Sequence, residues 1–152
     1  MNFRHLTPLF AVSPQVNEAD IEYAARLGFC VIICNRPDQE EPAQSPAQEI
    51  AAYAACYGIA FRHVPVVSGS IGDADIALMR KVIDECDGPI LAYCRTGTRS
   101  AMLWALSNAG RLPLSTLVNR TAAVGYDIST LTARLTTGAA TDSAKFKAPP
   151  SC

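Results

Sequence analysis

The sequence has little charge of either sign to spare. Thirteen basic and 14 acidic side chains leave a formal net charge of −1 over 152 residues, and only 18% of the chain is charged. A nucleic-acid binder needs a basic stripe to neutralise phosphates, so that class is excluded. Long apolar runs are also missing. The longest, Phe29–Cys34 and Pro89–Cys94, have the length of strands and fall short of the roughly 18–20 residues that cross a bilayer. No membrane partner is expected. The first ten residues carry Arg4 and His5 but no apolar leader segment, so the expected location is cytoplasmic. Histidine is scarce, at 2 residues, and no Cys-x-x-Cys pair occurs. Tetrahedral zinc sites draw on closely spaced ligand pairs, so neither a metal nor another cofactor is expected.

What the chain holds in quantity is apolar residues, 49% of the total, and 6 cysteines. A chain of this length buries roughly 68–70% of its unfolded surface and needs no disulfide framework to fold. Cys30, Cys34, Cys56, Cys86 and Cys152 therefore read as free thiols that behave as small buried hydrophobes. Cys94 reads differently.

Along the chain, Asn17 and Asp20 have the spacing of a capping box ahead of Ile21, Ala24, Ala25 and Leu27, and Gly28 supplies a stop. Phe29–Cys34 is apolar throughout and β-branched at its centre, as in a strand buried on both faces of a parallel sheet. A loop with three prolines follows, then a helix from Ala47 to Tyr57, a strand over Ile59–Val67, and a helix opened by Asp73. Pro89–Cys94 is a third buried strand and Ser100–Ala109 a further helix. Leu114–Val124 and Ile128–Leu135 read as amphipathic helices. This alternation predicts an α/β fold, a mostly parallel central sheet flanked by helices, in one domain over residues 1–138. Residues 139–152, rich in Ala, Thr, Lys and Pro, are expected to form a flexible tail. Ligands of such sheets bind outside the carboxyl ends of the strands, which nominates the loops Asn35–Glu41, Ser68–Gly72 and Arg95–Arg99.

Cys94-Arg-Thr-Gly-Thr-Arg-Ser100 passes from a buried strand straight into a helix start. Successive backbone N–H groups in such a loop form an anion-binding nest, and the helix dipole adds positive charge. Arg95, Thr96, Gly97, Thr98 and Ser100 are the candidate anion-binding residues, with Gly97 giving the backbone its freedom. Aligned amides, Arg95 and Arg99 favour a thiolate at Cys94, which makes it the candidate nucleophile. Arg99 offers a planar fork for a tetrahedral oxyanion, and the Ser100 hydroxyl can donate to the sulfur. Arg36 and Arg95 are expected in solvent. His63 reads as a satisfied core or edge histidine, and Tyr53, Tyr57 and Trp104 as core.

Cys94-x4-Arg99-Ser100 resembles the active-site loops of the cysteine phosphatases and rhodaneses. The wider pattern resembles the phosphatase-like domain of beta-lactamase-hydrolase-like proteins. It comprises Ser13-Pro-Gln15, Asn35-Arg-Pro-Asp38 with Glu40-Glu41, Pro65-Val-Val-Ser-Gly69, Tyr93-Cys-Arg-Thr-Gly-Thr-Arg-Ser-Ala101 and Leu103-Trp-Ala-Leu106. The resemblance covers about residues 3–110 and implies a dual-specificity-phosphatase-like fold. Members are described both as phosphatases and as sulfur transferases, some fused to a domain that processes persulfides, which suggests a persulfide-processing partner enzyme.

Two departures bear on the reaction. Dual-specificity phosphatases show His before the cysteine and one more residue before the arginine, whereas Tyr93 stands here and the loop is shorter, as in rhodaneses. Phosphatases of the group also carry an acidic residue in the loop after the preceding strand, yet Ser68–Gly72 contains none before Asp73. Asp38 is the candidate substitute, as an acid or as an orienter of Arg36 or Arg99. The leading expectation is therefore a sulfur transferase that carries a persulfide on Cys94, taking sulfur from a small anionic donor and passing it to a small thiol or sulfite. The alternative is a phosphatase-like hydrolase of phosphoesters that forms a phosphocysteine on Cys94. A binding or redox-sensing module without turnover is a third possibility.

Overall fold

In the computed structural model, which describes residues 3–136, apolar residues alternate along each central strand between two cores. Strands β3 (Val31–Cys34) and β5 (Ile90–Tyr93) are buried along their whole length. Val31, Ile33, Ile90 and Ala92 face one core, while Ile32, Cys34, Leu91 and Tyr93 face the other. Helices α1 (Glu18–Arg26) and α2 (Ala47–Cys56) cover the second face through Ile21, Ala24, Ala47, Ile50 and Ala54. Helices α3 (Asp73–Asp84), α4 (Thr98–Ser107) and α5 (Leu114–Ala123) cover the first. The fold is the expected α/β sandwich of helices around a mostly parallel sheet.

The alternation of helix and strand does not announce two further strands. β1 (Arg4–Thr7) and β2 (Phe10–Ser13) form an antiparallel hairpin, with a register irregularity between His5 and Thr7. β2 then pairs in parallel with β5. With β4 (Ala60–His63) the sheet has the order β1-β2-β5-β3-β4, in which β2, β5, β3 and β4 run parallel. Strands of four residues with a bulge carry too little period to be read from sequence.

α1 opens with the expected capping box: Asp20 N–H donates to Asn17 Oδ1 and Asn17 N–H to Asp20 Oδ2, both at 2.9 Å. α4 is the helix that matters for the site. Eight of its side chains are buried, Arg99–Ala101 and Leu103–Ser107, because it lies between the sheet and its neighbours α3 and α5. A helix buried nearly all round puts the polar residues of its first turn in the interior, where each requires partners. The stretch expected as a helix over Ile128–Leu135 is a 3₁₀ turn at Ser129–Leu131 followed by a helical turn to residue 136. The tail expected at 139–152, including Cys152, lies outside the described residues. Two cysteines depart from the buried pattern: Cys30 and Cys56 are exposed, whereas Cys34, Cys86 and Cys94 are buried.

Candidate active site

All four parallel strands deliver their carboxyl ends to one edge of the sheet. Gln15 follows β2, Asn35 and Arg36 follow β3, Val64–Val66 follow β4, and Cys94 follows β5. Asn35 ties these ends together. Its N–H donates to Tyr93 O at 2.8 Å, its Nδ2 to Val64 O at 3.1 Å, and its carbonyl accepts from Val66 N at 3.1 Å. Between these ends and α4 lies a cavity of about 740 Å³ whose lining includes Cys94, Arg95, Arg99, Glu40 and Glu41. The loops nominated from sequence converge there. Ser68 and Gly69 form another part of the wall.

Cys94 is 1% exposed, and its Sγ accepts the Gly97 N–H at 3.1 Å. Gly97 adopts φ +95, the left-handed conformation that turns this amide back onto the sulfur. Opposite the sulfur, Gly97 meets the Tyr126 hydroxyl, which donates to Thr96 O at 3.2 Å. A Cβ at position 97 would collide with Tyr126 Oη. Gly97→Ala is therefore expected to cost about 1–3 kcal/mol from backbone strain plus the displacement of Tyr126. Thermal unfolding of the variant checks this; an unchanged midpoint would mean that the loop tolerates a different path.

Arg99 is 8% exposed, and its guanidinium is almost saturated. Nη1 donates to Val66 O at 2.8 Å, Asn35 O at 3.3 Å and Glu40 Oε2 at 2.9 Å, and Nη2 to Glu40 Oε1 at 3.3 Å. Its Nε–H is buried and has no hydrogen-bond partner among the described residues. Ser100 donates to Asn35 Oδ1 at 2.8 Å. The hydrogen bond expected from Ser100 to the sulfur is thus replaced by the Gly97 amide.

The largest revision concerns the acidic loop. Arg36, expected in solvent, is 3% exposed; its Nε donates to Glu40 Oε1 at 2.9 Å and its Nη1 to Gln15 Oε1 at 2.8 Å. Glu40 bridges Arg36 and Arg99, making the contacts assigned in prospect to Asp38. Asp38 instead accepts the Ala47 N–H at 2.8 Å at the start of α2. Burial by itself would raise the Glu40 carboxyl, but hydrogen bonds and charge from Arg99 and Arg36 outweigh it and hold the group below its ordinary value. At neutral pH Glu40 is a carboxylate with no proton to give. Glu41 pairs with the exposed Arg95 at 2.6 Å. The cavity therefore has two carboxylates, and both are engaged by arginines.

These features agree with what the chain is similar to. The family model for the phosphatase-like domain of beta-lactamase hydrolase-like proteins matches residues 2–111. The chain belongs to this family. A beta-lactamase hydrolase-like protein of Xylella fastidiosa is 38% identical over 122 residues, covering 78% of this chain and 28% of that protein. The Agrobacterium fabrum protein of the same description is 33% identical over 116 residues, covering 75% of this chain and 27% of its own length. This phosphatase-like domain thus spans little more than a quarter of the curated relatives it matches. Among solved structures, a candidate phosphatase from Neisseria meningitidis superposes with a TM-score of 0.81 at 36% identity, covering 91% of this chain and 99% of its own. The catalytic core of a PP-IP phosphatase from S. cerevisiae shares the fold at 15% identity, with a TM-score of 0.68 and 95% and 93% coverage. This is a cysteine-nucleophile, hydrolase-like enzyme.

Two supports of the phosphatase-like site are invisible in the motif. Tyr126 braces the loop from a segment 30 residues further on, with Arg4 stacked 5.6 Å over its ring. Burial pushes the Tyr126 phenol up, which keeps its donor proton in place. Cys34, at the end of the strand beside β5, donates to Arg36 O at 3.3 Å, and burial pushes its thiol up as well. A protonated thiol in that position is inert. His63 sits on the edge strand with Nε2 3.1 Å from Arg36 O, away from the sulfur's own contacts. Trp104 is core as expected, and Tyr53 and Tyr57 are half-buried against the α1–α2 face.

Proposed function

We propose that this chain is a cysteine-dependent phosphomonoesterase for esters with good leaving groups. The supporting observation is the buried Cys94 sulfur, bonded to a loop amide in the same cavity as Arg99 and two arginine-paired glutamates. The Cys94 thiolate attacks phosphorus; the S–P bond forms as the bond to the ester oxygen breaks, and that oxygen leaves with the electron pair. Loop amides and the Arg99 Nε–H hold the phosphoryl oxygens. Water then attacks phosphorus, the S–P bond breaks, and phosphate departs as the thiolate is restored.

The paired state of Glu40 and Glu41 limits the substrate. A positioned general acid contributes typically 10²–10⁴-fold, and neither carboxylate is placed to supply it. Phenolates and other weakly basic oxyanions leave unassisted, whereas alkoxides do not. Phosphate release from a graded set of aryl and alkyl phosphates is expected to fall steeply with leaving-group basicity, with alkyl esters slower by on the order of 10²-fold or more. Equal rates for both classes, or no release from any aryl phosphate, would overturn the reading.

The same two features keep a second reading alive. A loop one residue shorter than that of the dual-specificity phosphatases and the lack of a free acid suit persulfide transfer, in which a thiolate or sulfite leaves without a proton. Cys94 would then take the outer sulfur of an anionic donor and pass it to a small thiol, with a persulfide-processing enzyme as the partner. Intact mass after incubation with thiosulfate or an aryl phosphate separates them: a gain of one sulfur atom on Cys94 favours transfer, and a gain of a phosphoryl group favours hydrolysis.

A further inference from the structure

The cavity is much larger than a phosphoryl group. Its volume of about 740 Å³ falls in the range of pockets that enclose whole small molecules. Beyond the Cys94 loop one wall is apolar, made by Ile71, Met102 and Leu131, three side chains that pack on the core while remaining partly accessible. Arg134 completes that side.

The arginines of the cavity differ in how far their charge is answered. Glu40 accepts two hydrogen bonds from Arg99 and one from Arg36, and Glu41 pairs with Arg95 at 2.6 Å and with Arg36 at 3.4 Å. Among the described residues Arg134 meets one carboxylate, Asp73, at 3.4 Å, and the Asp73 side chain is fully exposed. An exposed pair of that kind contributes little and exchanges easily. Meanwhile Arg134 Nη1 donates to Ile71 O at 2.8 Å, which holds the guanidinium beside the apolar wall. Arg134 is thus a placed cation in the cavity, and the carboxylate it meets is fully exposed and weakly held.

We propose that Arg134 forms a second subsite, which takes an anionic group carried on the apolar leaving group of the substrate. The substrate class is then a phosphoester of a phenol-type apolar ring that bears a carboxylate or a second phosphate. This deepens the hydrolase reading and rests on it only for the group held at Cys94. Leu131 and Arg134 lie beyond residues 2–111, so part of this wall comes from outside the family segment.

Binding to the full chain carrying Cys94→Ser, measured by calorimetry, tests the subsite without turnover. 4-Carboxyphenyl phosphate is expected to bind about tenfold more tightly than phenyl phosphate, the worth of one charge-assisted contact. Arg134→Gln, which can still donate to Ile71 O, should bring that ratio to about one, and Arg134→Lys should retain part of it. Equal affinities for the two ligands, a ratio unaffected by Arg134→Gln, or no binding of either would overturn the subsite. Turnover by the unmodified chain reads the other question. Hydrolysis of phenyl phosphate with no preference for the carboxylated ester removes the subsite alone. Carboxylate-dependent binding without any phosphate release removes the hydrolase and leaves the subsite standing.

Discussion

Cys94→Ser is expected to lower aryl phosphate turnover by on the order of 10⁴-fold or more, the scale seen when an enzyme loses its nucleophile. A serine hydroxyl is almost wholly protonated at neutral pH, whereas even an ordinary cysteine is a few per cent thiolate. The substitution spares the fold. The serine oxygen can accept the Gly97 N–H that Sγ now accepts at 3.1 Å, and the buried volume changes little, so the thermal midpoint should stay close to that of the unmodified chain. Phenyl phosphate should still bind, because the loop amides and Arg99 are untouched. The discriminating measurement pairs steady-state phosphate release with calorimetric binding. Turnover above about a tenth of the original would mean that Cys94 does not attack phosphorus.

Arg99→Ala is expected to lower turnover by on the order of 10²–10³-fold, the cost of removing one preorganised donor from a developing anion. It should also destabilise the protein, for a separate reason. The Val66 carbonyl loses its Arg99 donor, the Asn35 carbonyl keeps only the Val66 N–H, and Glu40 keeps only Arg36 among its two buried arginine partners. Breaking one partner out of a buried pair costs about 3–5 kcal/mol, and the partial exposure of Glu40 places this case at or below the lower end. Adding Glu40→Gln separates the two effects. The double variant should recover none of the rate, since the anion donor is still missing, and should lose further stability, since the buried Arg36 then gives up its close carboxylate partner. Arg99→Lys should keep charge but lose the fork that serves Glu40 and the carbonyls together. A lysine variant with full kcat would mean that charge alone suffices and that the geometry of Arg99 plays no part.

The central strands were legible because their cause is local. Phe29–Cys34 and Pro89–Cys94 are apolar at every position, and only burial on both faces accommodates that. The capping box at Asn17 and Asp20 and the passage from Cys94 into a helix are equally local, since backbone hydrogen bonds over three or four residues produce them. The β1–β2 hairpin has no local signature because its strands of four residues gain their stability from β5, which lies about 80 residues away in sequence. The burial of Arg36 is hidden from the sequence for a related reason. A charged residue after a strand is usually solvated, and nothing in its neighbours tells that Gln15 and Glu40 close over it.

The opening scarcity of charge takes its meaning from the same contrast. By itself the sequence determined the class of fold, the edge of the sheet where the cavity lies, and the single cysteine placed at a strand-to-helix junction, because each follows from periodicity and turn geometry over a few residues. The tertiary structure decided the electrostatics. Arg36, Arg95 and Arg99 did not form an open positive patch; Glu40 and Glu41 answer them, and Arg134 enters the cavity from the far end of the described chain. Coulombic and hydrogen-bonding partners are chosen by distance in space, and buried arginines near 3 Å from a carboxylate leave no trace in the order of residues along the chain.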